Sequence, residues 1–440
     1  MNNQLKDPLK IKRKFLFVSY DALISDLAWQ VVKEGYEVKC YIKDSEHSEI
    51  GRGFVERTDD WRKETDWADV IVFDDVLGMG KWAQELRNKG KLVVGGTPYT
   101  DMLEDDRTFG QEELKKAGIS IIPYANFTSF DEAIDYVKQK PGQYVIKPSG
   151  EAQNIKNFLF VGAEEDGKDI IQVLEIYKKL WSGKIKVFQL QKRISGVEVG
   201  VGAFFNGHEF VYPININFEH KKLFPGNTGP STGEMGTSMF WSMPNRIFNS
   251  TLRKMEGLLR RERYVGYIDL NCIVNGYGIY PLEFTARFGY PTIQIQQEGI
   301  LIPTGDFLYG LASGTLKNFK TKSGFTVGVR LVVPPFPYGR DIKKGVLYSE
   351  GAAILFKKPD LSGVHIEEVK LVKDEWVVAG PRGVVLVVVG SGQTMKQAID
   401  KAYSRVKNIL IPNMYYRDDI GERWFEDSDK LHSWGYLREL

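Results

Sequence analysis

Two acidic side chains, Asp269 and Glu283, sit on two apolar runs inside YVGYIDLNCIVNGYGIYPLEFTARFGYP (264–291). A Gly/Asn turn separates the runs, and Arg287 follows one short step later. The pattern predicts a buried β-hairpin with acids on facing strands. An unpaired carboxylate in such a place costs roughly several kcal/mol unless a metal or a basic partner neutralises it. Mg²⁺ bridging nucleotide phosphates answers that need, with the guanidinium of Arg287 reaching the transferred group.

Phosphoryl transfer from ATP also needs cations on the phosphates and a slot for the base. Lys147 ends the apolar run YVIK, which places an ammonium at a sheet edge, although an isolated strand-end lysine reads equally as surface. The segment QKRISGVE (191–198) joins two strand-like runs. Backbone starting at Gln191 and Lys192 can meet an adenine edge there, and Glu198 can accept from ribose hydroxyls; a plain surface hairpin has the same pattern. Residues 219–236 carry Gly226, Gly229, Gly233 and Gly236 behind His220 and Lys221, a stretch able to wrap an anion with backbone N–H groups or to be a flexible loop. No GxxxxGK[ST] motif occurs, so this is not a P-loop. The histidines are isolated and the two cysteines lie far apart, which excludes the usual zinc patterns.

The elements that must position these groups are legible from periodicity. Apolar strands at 14–19, 36–42, 67–75 and 91–96 alternate with helices at 24–34 and 80–89, which predicts an open parallel α/β unit over residues 1–105. A helix at 106–117 leads into an αβ unit at about 119–200 that reads as a mobile lid. Its strands are 119–127, 143–149 and 186–194, its helices 130–139 and 169–180, and a strand at 197–207 follows. Residues 219–238 read as loop and 246–261 as one helix. From 325 to 440 the alternating runs GFTVGVRLVVPP, VHIEEVKLVKDEWVVAG and RGVVLVVVGSG, with the helix MKQAIDKAYSRVKNIL, predict a third, β-rich unit with its own antiparallel sheet.

The chain has 440 residues, 42% hydrophobic and 26% charged, enough for two to four packed units. A formal charge of +2 argues against a nucleic-acid partner. No run of about 18 apolar residues and no leader pattern is present, which argues against a membrane span or secretion. Cys40 and Cys272, each inside an apolar run, are expected to be buried thiols in a reducing cytoplasm.

The order of parts resembles the ATP-grasp superfamily, and within it the glycinamide ribonucleotide synthetase family. GPSTGEMG (229–236) is similar to that family's TGGMG loop, EHK (219–221) to its DHK, and EFTARFGYPT (283–292) to its EFNxRFGDPE. RGVVLVVVGSG, AYSRVKNIL and YYRDDIGERW resemble its closing strand, helix and YRxDIG motif. The resemblance implies an ATP-grasp fold: an N-terminal open parallel α/β domain (1–105), an ATP-grasp domain with a mobile lid (106–324), and a small C-terminal β-rich domain (325–440). It further implies ATP and Mg²⁺, with Mn²⁺ as an alternative metal. Lys147, Lys156, Gln191, Lys192 and Glu198 would bind nucleotide, and Glu283 would bind metal together with Asp269, which substitutes for the family asparagine replaced by Thr285. Arg287 and Lys221 would be catalytic, and His220, Thr232, Gly233, Met235, Gly236 and Tyr290 would form the substrate loop. The implied reaction joins a small-molecule carboxylate to an amine through an acyl phosphate, in a cytoplasmic monomer or homodimer.

Departures gather on the substrate side. FVSYDALISDLAW stands where the family has a GxGGREHA turn, and Asp21 there would repel a phosphate dianion. Asp74 and Asp75 end the third strand and suit a cationic or hydroxyl-bearing group better than a phosphate, with an N-cap or a solvated turn as the alternative reading. Tyr290 and Thr292 replace two acids, Glu234 enters the loop, and PSGEAQNIKN retains only Lys156 of a lysine-bearing flap. A ligase with a different amine and acid, or a nucleotide-binding regulatory protein without turnover, therefore stay open beside the family reaction.

Overall fold

The computed structural model describes residues 12–74, 78–149, 158–338 and 349–437. The first unit is a parallel sheet of β1 (Lys14–Ser19), β2 (Glu37–Ile42), β3 (Glu56–Arg57), β4 (Val70–Phe73) and β5 (Leu92–Val94), in the order β3-β2-β1-β4-β5. Every residue of β4 is buried, as in a strand covered on both faces. Helices α1 (Ser25–Lys33) and α2 (Gly80–Asn88) belong to this unit. α3 (Pro98–Asp105) starts on a capping box between Thr97 and Thr100, and α4 (Arg107–Lys116) on the Asp106 side chain, which accepts from the N–H groups of Thr108 and Phe109. Glu104 and Arg107 flank the junction of the two helices and are half-buried.

The lid comprises β6 (Tyr124–Phe127), α5 (Phe130–Gln139), β7 (Tyr144–Pro148), β8 (Phe160–Val161), α6 (Lys168–Trp181) and β9 (Phe188–Lys192), with strand order β6-β9-β7-β8. The first strand is shorter than its apolar run suggests. Pro123 has no N–H to give a ladder, and pairing starts at Tyr124. Ile146, Phe188 and Leu190 pack with Ala133, Val137, Ile170 and Leu174 of the two helices into a core separate from the rest of the protein. The period of two then sends Lys147, Gln189 and Gln191 to the opposite face.

The central sheet holds β10 (Val197–Asn206), β11 (Phe210–Glu219), β14 (Gly236–Ser242), β15 (Val265–Asn275), β16 (Gly278–Thr285), β17 (Phe325–Val332), β19 (Val364–Ile366) and β22 (Val384–Gly392). Its order is β16-β15-β10-β11-β14-β17-β22-β19. Small two-stranded sheets pair β12 (Lys222–Phe224) with β13 (Thr228–Ser231), β18 (Leu355–Phe356) with β23 (Ile409–Leu410), and β20 (Val369–Val372) with β21 (Glu375–Val378). The remaining helices are α7 (Arg246–Ser250), α8 (Glu256–Arg261), α9 (Thr292–Gly299), α10 (Thr304–Ala312), α11 (Met395–Val406) and α12 (Trp424–Ser433).

Four expectations change. The strands assigned to a separate third sheet extend the central one, because β17 pairs with β14 on one side and β22 on the other; alternation reveals a strand but not its partner. Residues 219–238 are not all loop, since a β12–β13 hairpin interrupts them. The helix expected over 246–261 is broken where the Thr251 hydroxyl donates back to the Ile247 carbonyl at 2.6 Å. The run 364–380 splits after Ile366, and β20 and β21 turn on Lys373 and Asp374 at φ 51° and 67°, the conformation a two-residue hairpin requires. Cys40 and Cys272 are free and buried, as expected. No described helix is long and apolar enough to cross a membrane.

Candidate active site

Residues directly opposite in an antiparallel ladder share a face. Gly200 faces both Asn217 and Asn271, Gly202 faces Asn215 and Asp269, and Asn271 faces Glu283. One face of the central sheet therefore carries Glu198, Asn215, Asn217, Glu219, Asp269, Asn271 and Glu283. The two glycines are required there: a Cβ on Gly200 would run into Asn217, and one on Gly202 into Tyr267 and Asp269. The α12 end pins this face, since Arg423 donates to the carbonyls of Glu219 at 3.1 Å and Glu198 at 2.8 Å.

Lys221, two residues beyond Glu219, holds its ammonium among three carboxylates, 3.1 Å from Glu198, 3.3 Å from Glu283 and 3.4 Å from Glu219. Burial works against its charge, but Glu283, Glu219 and Glu198 outweigh burial and keep it firmly protonated. Glu283 responds in kind. Lys221, against the effect of burial and with Lys147 and Arg107 nearby, lowers its carboxyl to about 2. Asp269 has other surroundings. It is buried, its Oδ2 accepts from Tyr267 Oη at 2.8 Å and Asn217 Nδ2 at 3.2 Å, and Oδ1 has no partner. Burial and then Glu219 push it up to about 7. The hairpin thus opposes Glu283 to Asn271 and Asp269 to Thr285, and the two acids stand diagonally. Among the described residues no cluster of three or more His, Cys, Asp or Glu side chains is placed to hold a metal. The donor chemistry nonetheless fits a hard divalent cation: several carboxylates share one ammonium, and a buried carboxylate oxygen lacks a partner.

The polar face of the lid meets this set. Burial, then Arg107, lowers the Lys147 ammonium to about 8, while Glu283 acts in the opposite sense. Gln191 is buried with Nε2 unpartnered, and Gln189 likewise with Oε1, so the lid offers a donor and an acceptor beside the β9–β10 connection. Lys192 is exposed. Lys156 and Asp75 lie outside the described residues. On the side of α3, Arg287 donates to Glu104 at 2.9 Å and to the Phe288 carbonyl at 2.8 Å, and Glu104 also accepts from the Ala286 N–H.

Beyond Arg287 a cavity of about 350 Å³ opens between the first unit and the last strands. Asp21, Gly233, Tyr290, Arg330, Glu367 and Arg382 are on its wall. Of the substrate-loop residues expected from the sequence, only Gly233 and Tyr290 line it. Met235 is fully buried in a small core with Leu223 and Val332. Gly236 starts β14, where a Cβ would strike the Gly328 carbonyl. Thr232 bonds back to Lys221 O at 2.9 Å. His220 is held neutral, lowered to about 3 by burial and by Arg423 and Arg417. These four position the loop and do not face the cavity. Asp74 is fully buried and accepts from the Ser19 hydroxyl, so it is neither an N-cap nor solvated.

Two family descriptions match this chain: "Phosphoribosylglycinamide synthetase, ATP-grasp (A) domain" over residues 105–293 and "Phosphoribosylglycinamide synthetase, C domain" over 338–423. Together they cover more than half of the sequence. The chain belongs to the phosphoribosylglycinamide synthetase family of ATP-grasp proteins. Similar relatives are phosphoribosylamine–glycine ligases of Streptococcus pneumoniae (27% identical over 399 residues, 87% of this chain and 88% of the relative) and Listeria innocua (26% over 378 residues, 83% and 86%). Among solved structures, phosphoribosylamine–glycine ligase of Thermotoga maritima aligns over 92% of this chain and all of its own, at a TM-score of 0.68 and 22% identity. A biotin carboxylase of Campylobacter jejuni reaches 0.65 at 13% identity over 96% and 97%, a likeness of fold alone.

As an ATP-grasp protein, the chain keeps its polar residues between the lid sheet and the central sheet. Sequence reasoning missed Glu219, Asn271, Glu104, Arg107, Arg330, Glu367 and Arg382. Glu219 was visible in the EHK motif and carried no assigned role. The others lie in ordinary helix or strand text, and only the packing of distant elements unites them. The YRDDIG segment has a positioning role: Arg417, 1% exposed, donates to Asp419, to Asn227 and to the Lys222 carbonyl, and Asp419 accepts from the Gly226 N–H. It fastens the hairpin that leads into the glycine-rich loop.

Proposed function

We propose that the protein is an ATP-dependent carboxylate–amine ligase working through an acyl phosphate, with glycine and phosphoribosylamine as the reference pair that the relatives' names supply. One observation carries this reading: the Lys147–Gln191 face of the lid, the Glu283–Lys221–Glu198 cluster and Arg287 converge, and a substrate-sized cavity adjoins them. Lys147 and Lys221 hold the ATP phosphates, the Gln191–Lys192 backbone meets adenine, and Glu198 accepts from the ribose. Mg²⁺, or Mn²⁺ in its place, would be held by Glu283 and Asp269 and would offset phosphate charge.

In the first step a carboxylate oxygen of the acid attacks the γ-phosphorus, the bond to the β,γ-bridging oxygen breaks, and ADP leaves. The amine nitrogen then attacks the acyl carbon, phosphate departs with the electrons of the C–O bond, and the amine proton passes to solvent. Arg287, held in place by Glu104, stabilises charge on the transferred phosphoryl group. Closure of the lid formed by the β6–β9 sheet with α5 and α6 excludes water that would hydrolyse the intermediate.

The test is ADP and phosphate release with Mg·ATP alone, with glycine plus phosphoribosylamine, and with panels of amino acids and amines. Amine-dependent turnover supports the ligase. Nucleotide binding without turnover under any pairing replaces it by a regulatory nucleotide-binding protein.

A further inference from the structure

Glu234 stands in a short arch, residues 232–235, that joins the β12–β13 hairpin to β14. The arch is tied down at both ends. The N–H groups of Thr232 and Met235 donate to the carbonyls of Lys221 and His220, each at 2.8 Å. Arg330 donates from its N–H to the Met235 carbonyl at 3.0 Å and from Nη1 to the Glu234 carbonyl at 2.7 Å. That guanidinium is itself held by Glu367 at 2.7 and 2.9 Å.

Two parts of the site meet at this arch. Its backbone is bonded to Lys221, whose ammonium gathers Glu198, Glu219 and Glu283. Gly233 and Arg330 line the cavity of about 350 Å³. Glu234 therefore lies at the junction of the phosphate cluster and the cavity, and it is 6% exposed. The Thr237 hydroxyl donates to Oε1 and fixes the carboxyl's orientation, while Oε2 takes no part in that bond. Burial, and then the neighbouring Glu219, push the carboxyl up to about 8, against the opposing charges of Arg330 and Lys221. A buried acid crowded by a second acid carries a desolvation and repulsion cost, which a cationic ligand group relieves.

An acyl phosphate forms where the substrate carboxylate meets the γ-phosphate, and that places the carboxylate at this junction. The ammonium of an α-amino acid is only two bonds from the carboxyl carbon, so it must be held at the junction as well. The acids of the cavity wall are engaged by arginines: Glu367 by Arg330, and Asp21 and Glu368 by Arg382. Glu234 has both the position and the charge for the ammonium.

We propose that the carboxylate substrate is an α-amino acid and that Glu234 binds its ammonium, selecting it over acids with a neutral group there. The proposal rests on the ligase reading and deepens it by assigning a residue to the acid's side of the site.

Matched pairs that exchange the ammonium for a hydroxyl test it: glycine with glycolate, and L-alanine with L-lactate. Binding to the whole protein is measured by titration calorimetry near pH 7, with Mg²⁺ and a non-hydrolysable ATP analogue present. The amino acid of at least one pair is expected to bind at least ~10-fold more tightly than its hydroxy acid, because the bond to Glu234 is charge-assisted. Glu234→Gln should weaken the amino acid by ~10-fold or more and leave the hydroxy acid within ~2-fold. An unchanged affinity for the ATP analogue reports that this isosteric variant is folded, and the wild-type ratio tests the proposal by itself. A role for Glu234 in holding the arch alone would weaken both acids together and leave their ratio unchanged. Hydroxy acids bound as tightly as amino acids, no binding by any pair, or an unchanged ratio in Glu234→Gln each overturns the proposal. Failure of the ligase reading looks different: the ammonium preference and its loss in Glu234→Gln hold, yet no amine brings about ADP release.

Discussion

Lys147 gives the most quantitative prediction. Its ammonium falls from an ordinary 10.5 to about 8 because burial, together with Arg107, opposes the charge more than Glu283 supports it. At ~1.36 kcal/mol per unit, that shift corresponds to roughly 3 kcal/mol of unfavourable charging in the empty site. Anionic phosphates placed against Lys147 reverse the balance and return its affinity for the proton to the ordinary range or above. Nucleotide binding must then take up a proton wherever the free lysine is neutral: ~0.5 proton near pH 8, ~0.9 near pH 9, and almost none at pH 6.5. The nucleotide phosphates are already ionised at pH 8 and above, so they do not supply this signal. Titration calorimetry with a non-hydrolysable ATP analogue and Mg²⁺, in buffers of different ionisation enthalpy, reads the uptake directly. Lys147→Arg should bind with no uptake at any of these pH values, since guanidinium does not titrate there. The stability effect has a defined sign. The unfolded chain holds the Lys147 proton more tightly than the folded one between pH 8 and 10.5, so this residue's contribution to stability rises with pH across that window. Buffer-independent heats at pH 8–9, or uptake that persists in Lys147→Arg, would refute the placement of Lys147 on the phosphates.

Glu283→Gln should lower turnover by at least ~100-fold while the fold is retained, because it removes the proposed metal ligand and one of the three carboxylates around Lys221; wild-type rates would sink the metal assignment. Glu104→Gln retains an acceptor for the Ala286 N–H but discharges the partner of Arg287, and the loss of a charge-assisted bond worth ~1.5–3 kcal/mol predicts a ~10–100-fold fall in kcat with little change in the KM for ATP. Glu367→Ala strands a buried guanidinium and should cost about 3–5 kcal/mol in urea unfolding; a change below about 1 kcal/mol would show that water reaches Arg330. His365 joins β19 to Asp26 of α1 at 2.8 Å, and although burial opposes its charge, Asp26 and then Glu298 raise it to about 9. A raised value means stabilisation fully present below about pH 6.5 and lost as pH rises through about 9, by up to roughly 3 kcal/mol, and a His365→Gln variant should lack that slope in chemical denaturation.

The nucleotide half of the site was more legible than the substrate half. Glu283, Arg287, Lys147 and Glu198 stand in local text that declares itself, a strand end, a turn or an acid within an apolar run, because each is positioned by the strand that carries it. Asp269 lies on the hairpin where the sequence places it; of its two partners, Tyr267 is two residues away on the same strand, whereas Asn217 reaches it only across the sheet. His220 and Met235 belong to a motif that looks functional as a string, yet the imidazole is buried near the charges of Arg423 and Arg417, and Met235 packs with Leu223 and Val332.

By itself the sequence determined the type and place of most secondary elements, through periodicities of two and 3.6, and the order of parts that marks an ATP-grasp protein. It also determined that the substrate-side turn had lost its glycines. Only the tertiary structure decided that β17 and β22 continue the central sheet, that Lys221 gathers Glu198, Glu219 and Glu283, and that Asp21 meets Arg382 across 361 positions of chain. The reason is physical. Local propensity acts over a few residues along the chain, whereas charge pairing and strand pairing depend on distances in space, and those exist only once the apolar faces have found one another.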